Sequence, residues 1–325
     1  MIKLFTDEGW PNFSEDDGIL STGAPIIFIW GGRGTGKTYG ALKHVHQTEE
    51  EFLYLRRTPQ QAELICSSPL MWPWSPLNND LQTHYAPFKM SQIAGMYEVG
   101  NAGAYTDTGV PIRPAQMSGV LGNVVTMART RGFSSPNTSI IILDEYQKEE
   151  SDYYRRGEGV GLANIYETVN RNRELQGQKP ITLLCMSNAV GMANPYYMQW
   201  DITDTVERMI GKKERVKLLK DKGILLIDLV DSPVAKEKAK TALYRSMSGT
   251  DFYRSAIENQ YSAEEKSLVV SRPLREYYPL VQIGRCCIYE HKSKPVYYVC
   301  RHRSGEMPAY GSGDYERKRF RAAYG

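Results

Sequence analysis

The stretch GGRGTGKT at residues 31–38 constrains this chain more than any other feature. It follows the short apolar run IIFIW (26–30), and YGALKHVHQ (39–47) leaves it with a helical pattern. Glycine opens backbone conformations that other residues avoid, so consecutive N–H groups can wrap an anion. The helix that follows points its N-terminus at the same charge. Gly31, Gly36, Lys37 and Thr38 fill the defining positions of G-x-x-x-x-G-K-[ST]. The whole loop, with Gly32, Arg33, Gly34 and Thr35 between them, is the expected cradle for ATP. Lys37 is expected on the β- and γ-phosphate oxygens and Thr38 on Mg²⁺. A chance glycine-rich turn is the competing reading; the strand before and the helix after argue against it.

A partner for this loop lies at IIILDE (140–145), where four apolar residues make a buried strand and Asp144 ends it. Open α/β sheets bind ligands at that carboxyl edge. Asp144 is expected in the Mg²⁺ shell with Thr38. Glu145 is expected as the general base that polarises the attacking water. A switch GTPase would use a Gln and a guanine-reading motif, and neither is found. The Asp-Glu pair instead favours ATP-hydrolysing motors whose sheet has an added strand. A solvated acidic turn is the alternative.

The 325 residues suggest two domains. Apolar runs at 52–56, 139–143, 181–186 and 224–229 alternate with helical segments, a pattern that predicts a parallel sheet covered on both faces. Residues 59–66 read as a helix, and 67–118 as an irregular insertion with a hairpin near 96–112. The expected fold class is α/β: a P-loop NTPase of the additional-strand, RecA-like type. Its expected parts are a motor domain over 1–210, a mainly helical linker over 211–266 and a small, strand-rich, basic domain over 267–325.

Other polar residues fall near the expected nucleotide. Residues 160–174 read as one helix with Leu162, Ile165 and Val169 on its buried face. At about 100° per residue, Arg171 points away from that face and Arg173 returns toward it. An outward Arg beyond the catalytic strand is a candidate finger for a neighbour's ATP, or a solvated surface charge. Asn188, after the strand ITLLCM, is placed beside the phosphates, or simply forms a turn. Arg56 and Arg57 end the second strand and have three readings: phosphate, a neighbouring subunit, or solvent.

Net charge is +3, from 40 basic and 37 acidic residues, which excludes a uniformly basic nucleic-acid binder. Residues 271–325 nevertheless hold 11 Lys and Arg against 5 acids. No apolar run reaches the roughly 18 residues of a membrane span, and the N-terminus reads as no secretory leader. Five irregularly spaced cysteines suit reduced thiols. Cys286 and Cys287 are adjacent, so their side chains diverge on a strand and make a poor zinc pair.

Taken together, GGRGTGKT (31–38), YLRR (54–57), PNTSIIILDEYQKE (136–149), ETVNRNRE (167–174) and MSNAVGMANPYY (186–197) carry a resemblance. In this order the chain resembles the DNA-encapsidation ATPases of small picovirus-type short-tailed phages that use a packaging RNA. The likeness covers the ATPase half; after about residue 210 only the general plan and SGTDFY…ENQY (248–261) match. It implies a ring, a homopentamer, on the portal (connector) of an empty capsid, moving double-stranded DNA inward in the host cytoplasm, with no membrane partner. It implies Arg171 as the finger acting in trans, and Arg131 at the subunit interface or on DNA. A family Lys after the YLRR-like stretch is replaced here around Pro59. The C-terminal domain is implied to be α+β, a degenerate RNase H-like unit that docks on packaging RNA.

The acids after residue 270 show no tight cluster of the kind a two-metal nuclease needs, so no DNA cleavage is expected. The tail YERKRFR (315–321) interleaves Arg317, Lys318, Arg319 and Arg321 with aromatics, which suits a phosphate backbone with stacked bases, or else a solvated tail. Three other readings stay open: a terminase-type motor with an active nuclease, a AAA or RecA-like helicase or remodeller, and a non-catalytic nucleotide-binding scaffold.

Overall fold

The computed structural model describes residues 2–90, 94–129, 137–149, 152–188, 191–229, 232–250, 253, 272–283 and 286–310. Arg131, Arg317, Lys318, Arg319 and Arg321 lie outside the described residues, as do the tail and most of 251–271. The chain divides into two compact units, residues 1–263 and 264–325.

Among the described residues the first unit has nine strands. They are β1 (Ile26–Gly31), β2 (Glu51–Arg56), β3 (Tyr85–Lys89), β4 (Tyr97–Asn101), β5 (Gly119–Asn123), β6 (Thr138–Asp144), β7 (Thr182–Ser187), β8 (Val216–Leu219) and β9 (Ile224–Leu229). Their order in the sheet is β3-β4-β5-β2-β6-β7-β1-β9-β8. The six central strands from β5 to β9 run parallel. β7 stands between β1, which feeds the phosphate loop, and β6, which ends in Asp144: this is the added strand. Antiparallel pairing closes both edges, through β3 and β4 on one side and β8 on the other.

Both faces of a parallel sheet must be covered, so its strands are apolar throughout. Side chains alternate between the two layers. Ile27, Ile29, Phe52, Tyr54, Ile140 and Ile142 pack with α1 (Lys37–Thr48), α2 (Pro59–Cys66) and α3 (Ser75–Leu81). Phe28, Trp30, Leu53, Leu55, Ile141 and Leu143 pack on the other side. That layer holds α4 (Val124–Met127), α5 (Glu158–Asn170), α6 (Pro195–Gln199) and α7 (Thr203–Lys212). Each fully buried aliphatic or aromatic side chain contributes about 1.5–3 kcal/mol.

Three sequence expectations need correction. The segment 67–118 is an insertion with a hairpin, but the main hairpin is β3–β4 over 85–101 rather than 96–112; it extends the sheet, and Tyr97 and Val99 supply the buried side of β4. The expected boundary at 210 falls inside the unit, because β8 and β9 complete the sheet and β9 is buried along its whole length. Helical structure resumes only at α8 (Pro233–Ala239) and α9 (Ala242–Ser246). Finally, the helix expected over 160–174 stops at Asn170, because Arg171 and Asn172 both take left-handed backbone, with φ of 46° and 59°.

The second unit shows four strands, β10 (Tyr277–Ile283), β11 (Cys286–His291), β12 (Tyr297–Cys300) and β13 (Ala309–Tyr310), in the order β12-β11-β10-β13. Alternation buries Cys287 and Tyr289 with Tyr277 and Met307, while Cys286 faces outward. Among the described residues no helix is long and apolar enough to cross a membrane. Nor, among them, is there a cluster of His, Cys, Asp and Glu that could hold a metal ion.

Candidate nucleotide site

The site gathers at the carboxyl edge of the parallel strands. Gly34 and Gly36 take φ of 66° and 84°, left-handed values that any side chain would strain. A Cβ on Gly36 would also lie 2.5 Å from Trp10. The loop therefore turns tightly between β1 and α1. Lys37, buried at the start of α1, folds back over it, with Nζ donating to the carbonyls of Gly31 (3.0 Å) and Gly32 (2.9 Å) and to Asn188 Oδ1 (3.4 Å). Burial pushes its ammonium down to about 8, against the pull of Asp144 and Glu145.

Asp144 is held from three sides. Thr38 Oγ1 donates to its carboxylate at 3.1 and 3.2 Å, Tyr54 OH at 2.6 Å and Arg56 NH1 at 3.3 Å. Glu145 follows in left-handed backbone, φ 59°, a conformation that costs on the order of 1 kcal/mol. Its N–H donates to the Met186 carbonyl at 2.7 Å, which fixes the turn against the added strand. Burial raises the Glu145 pKa above the ordinary glutamate value, while Arg56, 4.0 Å away, opposes the shift.

Every described residue expected around the phosphates thus converges: the loop from Gly31 to Thr38, Asp144, Glu145 and Asn188. Arg56, read from sequence as meeting phosphate, a neighbouring subunit or solvent, turns inward onto Asp144, with its side chain 14% exposed. Its Nε is buried without a hydrogen-bond partner. Arg57 is not a surface charge either. It is fully buried, and binds Glu158 at 2.9 Å, Asp152 at 2.8 Å and the Tyr153 carbonyl at 2.8 Å. Arg33 pairs with Glu149.

Arg171 sits elsewhere. It is exposed at the C-terminus of α5, with Nε on the Thr168 carbonyl at 3.3 Å. Two residues on, Arg173 donates to the Thr138 carbonyl at 2.8 Å, at the start of β6. Asp144 ends the same strand, about 20 Å away at roughly 3.3 Å per residue. Arg171 therefore stands at the opposite edge of the sheet from its own phosphate loop.

Sequence reasoning missed three members of the site. Tyr54 is one more apolar-looking residue in a buried strand, yet its hydroxyl reaches Asp144. Gln147 joins the turn after Asp144 to the segment after β7: its N–H donates to Ser187 Oγ (3.1 Å), its Oε1 accepts from Gly191 N (2.9 Å) and its Nε2 donates to Tyr197 OH (3.0 Å). Lys238 of α8 donates to the Arg33 carbonyl at 2.7 Å. Nothing local marks it among the lysines of a charged helix.

The site fits a nucleotide with Mg²⁺. Thr38 and Asp144 offer hard oxygen donors side by side, the kind Mg²⁺ takes. The open cleft around them, about 1160 Å³, reaches from the phosphate loop to Trp72 and Asn79.

Comparison with known proteins agrees. A family described as podovirus DNA encapsidation protein (Gp16) matches residues 121–280. The DNA packaging protein of Bacillus phage phi29 is 24% identical over 260 residues, covering 78% of this chain and 67% of its own. That of Bacillus phage B103 is 23% identical, over 78% and 70%. The Phi-28 gp11 DNA packaging motor superposes with a TM-score of 0.57 at 17% identity, covering 94% of this chain and 84% of its own. The subunit of the bacteriophage Phi-29 packaging motor assembly gives 0.53 at 15% identity, over 99% and 93%. At those identities the two structures speak for the fold. With the family match beside them, the chain is similar to the podovirus DNA encapsidation proteins (Gp16) over residues 121–280.

Proposed function

We infer that this chain is the ATPase of a DNA-packaging motor, hydrolysing ATP to drive double-stranded DNA into an empty capsid. One observation carries the reading. Lys37, Thr38, Asp144 and Glu145 meet at one sheet edge across an added strand, in a chain that resembles the encapsidation proteins over residues 121–280. The relatives named above as DNA packaging proteins supply the class of substrate.

In this reading Lys37 leaves its loop carbonyls to pair with phosphate oxygens, a favourable exchange for a buried ammonium. Thr38 and Asp144 hold Mg²⁺, which when bound offsets the charge of the transferring phosphoryl group. Glu145 takes the proton of the attacking water, and burial makes it a stronger base than a solvated carboxylate. Asn188 orients groups at the phosphate end. Arg171 completes the pocket of a neighbour in a ring, and its place at the far sheet edge supports that role. The ring is proposed as a pentamer at the capsid portal in the host cytoplasm, with packaging RNA bound through the basic C-terminal region. That region is proposed not to cut DNA.

The direct test measures ATP turnover by the purified chain with duplex DNA and Mg²⁺, and nuclease-protected DNA in purified capsids. DNA-dependent turnover and filled capsids are expected. Absence of turnover under all these conditions overturns the motor reading. Nicking of plasmid in Mg²⁺ or Mn²⁺ would favour a terminase-type motor instead.

A further inference from the structure

A second cleft opens at the same sheet edge, on the opposite layer, and shares no lining residue with the nucleotide cleft. It holds about 360 Å³ between the starts of α2 and α5 and the far end of α4. Arg129, Arg155 and Arg156 line it together with Gly157 and Glu158. The single carboxylate in that wall is already taken. Glu158 Oε2 accepts from Arg57 Nε (2.9 Å) and Tyr196 OH (2.9 Å), and Oε1 from Arg57 NH2 (3.1 Å) and the Arg155 N–H (2.5 Å). The buried Arg57 is shared between Glu158 and Asp152, and the guanidinium groups of Arg129, Arg155 and Arg156 line the cleft. Arg155 is steadied over the Tyr153 ring, its Cζ 4.4 Å from the centroid. Gly157 brings no capping side chain to the start of α5, so the helix end adds positive potential there.

We propose that this cleft holds a backbone phosphate of double-stranded DNA, a contact separate from the ATP site. Planar guanidinium forks suit phosphate oxygens, and phosphate contacts fix position on a duplex without reading its sequence. A packaging enzyme needs that indifference. The proposal rests on the reading of the chain as a DNA-moving ATPase.

The test uses the full chain with a slowly hydrolysed ATP analogue. Fluorescence anisotropy follows binding of a 20-bp DNA duplex, and of an RNA duplex of the same sequence, across a salt series. Arg129→Gln/Arg155→Gln/Arg156→Gln should lower the slope of log K against log salt on DNA by about one, since each phosphate contact contributes roughly 0.9. Binding of a fluorescent ATP analogue should stay at the wild-type level. The triple Lys variant should keep the slope. If the triple Gln variant does not fold, Arg129→Gln alone carries the test, with a slope lower by up to about one. An unchanged slope on DNA, or a loss confined to RNA, overturns the proposal. A wild-type chain that binds neither duplex overturns the motor reading itself, a distinguishable result.

Discussion

At the scale of single residues, the chemistry reduces to who holds Asp144 and what burial does to Lys37 and Glu145. Asp144 accepts from Thr38, Tyr54 and Arg56. Glu145 has the Arg56 guanidinium 4.0 Å away, a loose contact that suits the proposed base. Glu145→Gln keeps the shape and removes the base. ATP binding should stay near wild type while turnover falls by about 10²–10⁴-fold, read by steady-state phosphate release beside a nucleotide-binding titration. Lys37 gives a pH prediction. Its ammonium has been pushed down to about 8, so the nucleotide-free protein loses that charge as pH rises through about 8. ATP affinity should then weaken by up to about tenfold per pH unit. Stability of the free protein moves the other way. Between about 8 and the ordinary 10.5 the unfolded chain binds the extra proton, so stability rises with pH across that window. Calorimetry with ATP from pH 7 to 9.5 reads the first trend and thermal melts read the second; a flat affinity profile contradicts the assignment.

Elements decide where these residues stand, and they also decide how much was legible beforehand. β1 with the phosphate loop after it, β6 and β7 were readable because each strand is an apolar run that leads into polar residues at the sheet edge. β5 was not. Its sequence, GVLGN, carries two glycines and looks like a turn, but the packing requires them: a Cβ on Gly119 would meet the Phe52 carbonyl at 2.4 Å, and one on Gly122 the Met96 sulfur at 2.6 Å. Arg171 was placed on a helix that in fact ends one residue earlier. Arg56 and Arg57 read alike in sequence, and the pleat of β2 with the turn after it sends one to Asp144 and the other to Glu158. That second arginine bolts the end of β2 to the start of α5. Arg57→Met strands the Glu158 charge in a dry interior and should cost roughly 3–5 kcal/mol, a melting temperature lower by on the order of 10 °C. Adding Glu158→Gln should recover part of the loss. Differential scanning calorimetry checks both; equal melting of wild type and Arg57→Met contradicts the role.

At the scale of the whole molecule, the nucleotide cleft and Arg171, the proposed finger, lie at opposite edges of one sheet. In the proposed reading a subunit does not complete its own site, and a head-to-tail ring would supply what is missing. The near-neutral net charge is unevenly spread: the positive excess is confined to residues 271–325, while residues 1–270 are slightly acidic. The ring plan has a sharp consequence. An Arg171→Ala subunit has an intact pocket and no finger; a Glu145→Gln subunit has an intact finger and no base. Each alone should bind ATP and turn over poorly. Mixed one to one, about a quarter of interfaces join an intact pocket to an intact finger. The decisive measurement is DNA-dependent ATP turnover of that mixture against each variant alone. Turnover clearly above both variants is the predicted result; full turnover by Arg171→Ala alone, or a mixture no better than its parts, would contradict a site shared between neighbours.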